Sequence, residues 1–145
     1  TSSTPFGKME PSIQPLDLYL TLGVSFIASH YSSKPRDLAG YIMQGMEHPG
    51  FSIVHVASPC TTYNDNYEQL KGNPSKGIEA TAWAVPDDHD PSDKDRARSL
   101  VQQGGVPLGI VYRDTTRPPL EAQVDGLNSR AKVSDVATLL GAFDL

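Results

Sequence analysis

Cysteine is nearly absent from this sequence, since Cys60 is its single example. One cysteine excludes an internal disulfide framework and is typical of a reducing compartment, so we expect a cytoplasmic protein. Basic residues are also outnumbered, because 12 Lys and Arg stand against 17 Asp and Glu and give a formal net charge of −5. Without a basic stripe, nucleic acid is not an expected partner. Apolar runs fall well short of the ~20 residues of a membrane span, so no membrane segment is expected.

Motifs that would identify an enzyme by themselves are also missing, because no GxGxxG, P-loop, GxSxG or HExxH pattern occurs. The histidines are His30, His48, His55 and His89. No two share helical i, i+4 spacing and none lies at zinc-like spacing from Cys60. We interpret His48, which closes a helix, and His55, which alternates with apolar residues in a strand, as structural side chains. The acidic residues near position 90 are Asp87, Asp88, Asp90 and Asp93. They lack the glycine and terminal glutamate of a calcium loop and indicate a solvated turn with a helix cap.

The stretch FSIVHVASPCTTYN, residues 51–64, is the feature around which the chain is organised. Its apolar and β-branched residues predict a buried central strand over 51–57. Pro59 cannot donate to a sheet ladder, so the strand ends there and Cys60 enters a polar loop. In open α/β sheets, the carboxyl ends of strands form the edge where ligands bind. A lone thiol is more often inert than functional, but hydroxyls and amides around Cys60 suit a thiolate or a cluster sulfur.

The remaining sequence predicts an α/β fold. The predicted elements are a helix over 15–22, a strand over 24–29, a helix over 35–48, the strand over 51–57, a helical turn over 67–71, an apolar arm over 80–85, a helix reaching Gln103 and a strand over 107–112. Residues 30–34 are predicted as a turn, and the two strands around the second helix predict a parallel βαβ crossover.

Side-chain patterns refine these predictions. The inward face of the second helix is predicted to consist of Leu38, Tyr41, Ile42, Gly45 and Met46. Asp90 or Ser92 is expected to cap the helix that ends at Gln103. Ser134 is expected to cap a final helix, VATLLGAF, that covers an apolar patch.

Two stretches resemble a known protein family. They read TPFGKMEPSIQPLDLYLTLGVSFIAS over 4–29 and HPGFSIVHVASPCTTYN over 48–64. Together they resemble the β subunit of 2-oxoacid:ferredoxin oxidoreductases, with the 2-oxoglutarate type as the nearest likeness. The likeness is strong over residues 1–64 and looser over 90–119. Its specific part is the run H-P-G-F…S-P-C-T-T-Y-N.

The resemblance implies a thiamine diphosphate-binding fold, a parallel sheet flanked by helices. In that family, a CxxC pair and a third cysteine lie upstream of S-P-C, so Cys60 would be the fourth ligand of a [4Fe–4S] cluster. The family's GDG and paired asparagines, which hold thiamine diphosphate and Mg²⁺, also lie upstream and are absent here. The first residues look like the middle of a loop, so we expect a carboxyl-terminal half that binds neither cofactor nor cluster alone.

Three segments follow from this interpretation. Residues 1–64 would be the carboxyl-terminal half of the thiamine diphosphate-binding domain, 65–90 an irregular arm, and 91–145 a loop-rich helix–strand–helix extension. The implied reaction is the oxidative decarboxylation of a 2-oxoacid to its acyl-CoA, with 2-oxoglutarate favoured over pyruvate. Electrons would pass through the cluster to ferredoxin. The implied partners are the rest of the β subunit, the α subunit, ferredoxin, coenzyme A and the 2-oxoacid.

Two other functions stay open at this point. A non-redox thiamine diphosphate-dependent decarboxylase half shares the implied fold but has no use for a cluster ligand, so a dispensable Cys60 would favour it. A non-catalytic α/β interaction module would instead keep Cys60 as a core thiol and bind a partner through the arm around Trp83. A protein without iron and without thiamine would favour that second alternative.

Overall fold

The computed structural model describes residues 6–7, 9–130 and 136–141. Its helices are α1 (Pro15–Leu22), α2 (Pro35–Glu47), α3 (Tyr67–Lys71), α4 (Lys94–Gln102), α5 (Leu120–Arg130) and α6 (Val136–Gly141). Its strands are β1 (Phe26–Tyr31), β2 (Ser52–Ala57), β3 (Ala82–Ala84) and β4 (Val106–Arg113), with a 3₁₀ turn at Pro74–Lys76. The predicted α/β class is therefore confirmed.

One four-stranded sheet forms the centre of the fold, in the order β2-β1-β4-β3. β1 and β2 are neighbouring parallel strands that α2 connects, so the predicted βαβ unit is confirmed. β4 pairs antiparallel with β1 and parallel with β3. Strands from all three predicted segments therefore share one sheet, and the division at residues 64 and 90 stays a prediction about the sequence.

The predicted central position of β2 is wrong for this chain. β2 lies at the edge of the sheet and its residues are half-buried or exposed, whereas all six residues of β1 are buried. β1 is enclosed because β2 and β4 cover both of its edges. Hydrophobicity identified β2 as a strand, but neighbouring strands decide how deeply a strand is buried.

β1 also begins and ends two residues later than predicted. Gly23 ends α1 with a left-handed φ of 77°, and the Val24 amide still donates to the Tyr19 carbonyl at 3.1 Å. This helix-terminating bond keeps Val24 out of the strand. At the other end, His30 and Tyr31 pair with β2 and do not form the predicted turn.

The hydrophobic core lies where α1 and α4 cover one face of the sheet. Its buried residues are Leu16, Leu20, Val24, Ile27, Ala97, Leu100, Val101, Val111 and Tyr112. An ion pair between Arg98 Nε and Asp17 Oδ1, 3.2 Å apart, joins the two helices at the rim of this core. Trp83 packs at the margin and donates from Nε1 to the Gly104 carbonyl at 3.0 Å, so the predicted arm packs against the domain as β3.

The opposite face of the sheet is only partly covered by α2. Leu38, Tyr41 and Gly45 are half-buried, but Ile42 and Met46 are 43% and 81% exposed. The predicted inward positions of Ile42 and Met46 are therefore wrong. Their helical spacing indicates an apolar stripe, but spacing does not tell whether this chain covers the stripe.

Two predictions for the second half of the chain need correction. Asp93, rather than Asp90 or Ser92, caps α4, because its Oδ1 accepts from the amides of Asp95 and Arg96 at 2.9 and 3.0 Å. In α6, the large apolar residues whose side chains the structure describes are Val136 and Leu140, and both are exposed, so these two do not cover the predicted apolar patch. The predicted cap Ser134 lies outside the described residues. α5 was not predicted.

Candidate functional site

Cys60 lies just beyond the carboxyl end of β2, in an exposed loop, as the sequence predicts. The loop is closed by two backbone hydrogen bonds. The Cys60 amide donates to the Asn64 carbonyl at 3.2 Å, and the Asn64 amide donates back to the Cys60 carbonyl at 2.9 Å. Upstream, the Ser32 amide donates to the Ala57 carbonyl at 3.0 Å and anchors the end of the strand. The thiol is therefore presented to solvent on a backbone that is fixed on both sides.

The electrostatics of this loop favour the thiolate. Backbone amides of Tyr63, Thr62 and Asn64 hydrogen-bond towards sulfur and lower the pKa of the Cys60 thiol. Desolvation and the Asp65 carboxylate oppose this effect without reversing it. Amides that point at a sulfur stabilise negative charge on it, whether the sulfur is a free thiolate or a metal ligand. The donor set thus fits a single thiolate ligand of a metal centre.

One ligand does not make a metal site. No group of three or more His, Cys, Asp or Glu side chains that could hold a metal ion exists within residues 6–7, 9–130 and 136–141. A [4Fe–4S] cluster takes four cysteine ligands. The described part of this chain contains one thiol, that of Cys60, and therefore forms no complete site of this kind.

The histidines have structural surroundings. His30 is buried in β1 and its Nδ1 lies 2.9 Å from the Tyr31 carbonyl, while His89 Nε2 lies 2.9 Å from the Val111 carbonyl. His55 is half-buried on β2, with its ring 6.2 Å from that of Tyr19, and this burial lowers its pKa. The predicted structural role of His55 agrees with this packing.

His48 takes part in a feature that the sequence did not predict. A cavity of about 510 Å³ lies at the amino ends of β1 and β2, at the far end of β2 from Cys60. Its lining includes Ser25, His48, Phe51 and Arg117. Ser25 Oγ donates to the Phe51 carbonyl at 3.1 Å, so His48 Nε2, 2.9 Å from Ser25 Oγ, acts as the donor to that hydroxyl. The H-P-G-F run was the available sequence signal for this cluster.

The surroundings of the His48 ring favour its neutral form. Burial lowers the pKa of His48, the nearby Arg113 guanidinium lowers it further, and the Asp114 carboxylate opposes both effects.

The acidic residues near position 90 act as turn and cap groups, since Asp90 Oδ1 accepts from the Ser92 amide and hydroxyl at 2.9 and 2.7 Å.

Within the described residues, no helix has the length and apolar character that crossing a bilayer requires.

Comparisons with known proteins connect this geometry to one enzyme family. Residues 60–129 match the C-terminal family of the pyruvate ferredoxin oxidoreductase beta subunit. The chain is 24% identical over 145 residues to subunit beta of 2-oxoacid:ferredoxin oxidoreductase 1 of Aeropyrum pernix, with 94% of this chain and 45% of that protein aligned. It is 32% identical over 78 residues to 2-oxoglutarate synthase subunit KorB of Archaeoglobus fulgidus, covering 50% of this chain and 29% of that protein.

A solved structure agrees with these relatives. The 2-oxoglutarate:ferredoxin oxidoreductase from Magnetococcus marinus, with 2-oxoglutarate, coenzyme A and succinyl-CoA bound, contains a similar chain. The TM-score is 0.76 at 29% identity, over 99% of this chain and 48% of that one. This chain thus spans about half the length of the relatives that match it along most of its sequence. The resemblance seen in the sequence is confirmed: this chain is similar to the β subunits of 2-oxoacid:ferredoxin oxidoreductases.

Proposed function

We propose that this chain works as part of a 2-oxoacid:ferredoxin oxidoreductase that converts a 2-oxoacid and coenzyme A to an acyl-CoA, carbon dioxide and reduced ferredoxin. The likeness to β subunits along most of the chain supports the reaction class. The KorB relative and the Magnetococcus neighbour, both named for 2-oxoglutarate, support 2-oxoglutarate ahead of pyruvate as the substrate. Because the chain spans about half of these relatives, it would act together with the rest of a β subunit, an α subunit and ferredoxin.

The exposed Cys60 thiol is the observation that carries this proposal. It stands in a closed loop at the carboxyl end of β2, and backbone amides favour its thiolate form. A nucleophilic cysteine would need a neighbouring base or cation, whereas a cluster ligand needs a fixed thiolate with amide donors around it. Cys60 would therefore be one ligand of a [4Fe–4S] cluster. The other three cysteines would come from outside this chain, because Cys60 is its single cysteine.

Thiamine diphosphate with Mg²⁺ would supply the decarboxylation chemistry and the cluster the one-electron transfers, and both groups would need residues outside this chain. The contribution of this chain would be positional and electronic. The bonds between Cys60 and Asn64 hold the sulfur at one place, and the amides of Thr62 and Tyr63 would stabilise negative charge on it. Hydrogen bonds of this kind raise the reduction potential of clusters.

Anaerobic purification of the protein from its source, with whatever accompanies it, tests this proposal. We expect bound thiamine, about four irons for each [4Fe–4S] site, and ferredoxin reduction that depends on 2-oxoacid and coenzyme A. In the assembly, Cys60→Ser should remove or strongly perturb one cluster signal while the fold stays intact, because the thiol is exposed. Thr61→Ala, which changes an exposed side chain of the same loop, is the matched control and should keep the iron content.

Two outcomes would contradict the proposal. Unchanged cluster signals and full ferredoxin reduction in Cys60→Ser, in an assembly that retains thiamine, would favour a non-redox thiamine diphosphate-dependent decarboxylase half. A preparation without iron and without thiamine would leave a non-catalytic α/β interaction module.

A further inference from the structure

The sequence of β2 does not by itself fix its register against β1. Successive residues of a strand point to opposite faces of the sheet, and a clean alternation of apolar and polar residues specifies the register. β2 lacks this alternation, because Ile53 packs against the core that α1 and α4 cover, while Val54 lines a groove beside α2. Within the described part of the chain, β2 pairs with β1 alone, so one ladder of backbone bonds holds it.

An advance of β2 by two residues along β1 would keep each side chain on its own face of the sheet. Phe51 would take the place of Ile53 at the core, and Ile53 would take the place of the half-buried His55. Because Phe51 is 68% exposed in the observed register, the advance would bury a phenyl ring. On the other face, Ser52 would take the place of the half-buried Val54, which loses less apolar surface than the phenyl ring gains. Apolar burial therefore does not hold β2 in the observed register.

Hydrogen bonds at the amino end of β2 hold the strand instead. Ser25 Oγ and the Ser25 amide both donate to the Phe51 carbonyl, each at 3.1 Å. Ser52 Oγ donates to the Gly45 carbonyl of α2 at 2.7 Å. We call the two side-chain bonds the amino-end anchor, and His48 Nε2, 2.9 Å from Ser25 Oγ, fixes its first hydroxyl. An advance by two residues would break both bonds of the anchor, because Phe51 and Ser52 would move by about 7 Å.

The rest of the chain permits the displaced register. The connection from α2 would shorten to His48 and Pro49, which is within the range of ordinary loops between a helix and a strand. At the other end, only Ser58 and Pro59 separate β2 from Cys60, so the sulfur would move with the strand by about 7 Å. Ligand positions have to hold to within about 0.5 Å. A displaced strand would therefore withdraw the sulfur from a metal centre.

We propose that Ser25 and Ser52 are positioning residues for the Cys60 sulfur, because their side-chain bonds keep β2 from advancing along β1. The anchor lies at the opposite end of the strand from Cys60 and acts without contact to it. Gly50 belongs to the same arrangement, because an added Cβ there would collide with Ser25 Oγ. This inference rests on the proposed function, in which Cys60 is a cluster ligand.

Two spin labels on the full chain measure the register directly. Cys60 is exposed and is the single cysteine, so it takes one label, and Ser99→Cys at an exposed position of α4 takes the other. Pulsed electron paramagnetic resonance should give one distance for this labelled chain. In Ser25→Ala/Ser52→Ala, the loss of two hydrogen bonds should raise the displaced share at least about tenfold, so that a second distance appears. Thr81→Ala, which removes a side-chain bond to a backbone carbonyl near β3, is the matched control and should keep one distance.

A further substitution tests the direction of the displacement. Phe51→Asn makes the displaced register unfavourable, because an amide would then enter the core in place of Ile53. In the observed register the Phe51 side chain is exposed, so the stability of that register should change little. Added to Ser25→Ala/Ser52→Ala, Phe51→Asn should therefore abolish the second distance. If the double variant does not fold, Ser52→Ala alone gives the measurement, with an increase of about fivefold in the displaced share.

Two results with the labelled chain would overturn the inference. A lower melting temperature of Ser25→Ala/Ser52→Ala together with one unchanged distance would leave the two serines a structural role only. A second distance that survives Phe51→Asn would show a movement other than the advance of β2.

The purified assembly separates this inference from the proposed function. Ser25→Ala/Ser52→Ala should lower the iron content and the paramagnetic resonance signal of one cluster, whereas Thr81→Ala should keep both. Iron in the wild-type assembly, together with a single distance or an unchanged cluster signal in the double variant, would overturn the positioning role alone. A second distance in the double variant, together with a wild-type preparation that contains no iron, would overturn the proposed function and leave the anchor as the group that sets the register.

Discussion

Gly50→Ala should destabilise this protein strongly, because a methyl group has no space at this position. An added Cβ would collide with Ser25 Oγ and lie 2.9 Å from His48 Nε2. The constraint comes from packing, since Gly50 is not among the glycines with positive φ. To make room, Ser25 has to leave its hydrogen bonds to His48 and to the Phe51 carbonyl, although Ser25 is only 6% exposed.

The magnitude follows from these contacts. Overpacking of this kind costs about 1–3 kcal/mol, and a buried hydroxyl that loses its partners costs about 1–3 kcal/mol. The two costs are not fully additive, because the same movement of Ser25 that breaks its hydrogen bonds also relieves part of the overpacking. We therefore expect a loss of about 2–4 kcal/mol in the free energy of unfolding. With an m-value of about 2 kcal/mol/M, the urea midpoint should fall by about 1–2 M in unfolding followed by circular dichroism.

Gly40→Ala is the matched control. Gly40 lies in α2, and a Cβ there would meet no atom within 4 Å. Alanine in a helix is favoured over glycine by about 0.5–1 kcal/mol, so this variant should be slightly more stable than the wild type. In a Ser25→Ala background, Gly50→Ala should cost clearly less than in the wild type, because the colliding hydroxyl is gone. If Gly50→Ala unfolds within about 0.5 kcal/mol of the wild type, the reasoning from this contact is refuted.

Three further predictions concern a helix cap, pH and the thiol. Asp93→Ala should lower the free energy of unfolding, measured in urea, by about 0.5–2 kcal/mol, because α4 loses its cap. Asp87→Ala removes an exposed carboxylate nearby and is the control, and an equal loss there would argue against a cap effect. Burial lowers the folded-state pKa of His48 and His55, so between pH 7 and 5 the unfolded chain binds more protons and stability should fall as pH falls. If the free energy of unfolding of His55→Asn falls with pH as steeply as that of the wild type, the His55 ring does not contribute to this pH dependence. Because amides lower the pKa of the Cys60 thiol, iodoacetamide at pH 7.5 should alkylate Cys60 faster in the folded chain than in urea, and equal rates would contradict the loop geometry.

Local signals allowed the sequence to predict most elements. Pro15 and Gly23 mark the two ends of α1, and Pro59 marks the end of β2, because each imposes a backbone constraint that acts within a few residues. The position of Cys60 beyond a strand end depended on such a local signal and is found in the structure. The helix α5 was missed, although Leu120, Val124 and Leu127 have helical spacing; the structure leaves all three exposed.

Long-range pairing was beyond the sequence. Nothing in the residues of β4 indicates that this strand lies between β1 and β3 and runs antiparallel to β1. The edge position of β2 could not be predicted for the same reason, because an apolar strand has the same sequence pattern whether or not a neighbouring strand covers it. The convergence of the Thr62, Tyr63 and Asn64 amides on Cys60 depends on the backbone path of the loop, which composition does not specify.

The two ends of β2 explain why H-P-G-F and S-P-C-T-T-Y-N act as one unit. At the start, the Phe51 carbonyl accepts from the Ser25 amide at 3.1 Å, from the Phe26 amide at 3.2 Å and from Ser25 Oγ at 3.1 Å. A slip by one residue would break all three bonds and turn every β2 side chain to the opposite face of the sheet. Because only Ser58 and Pro59 separate β2 from Cys60, the register set by these bonds also sets where the sulfur lies. The Ser25, His48 and Gly50 cluster therefore positions Cys60 from the other end of the strand, without any contact to it.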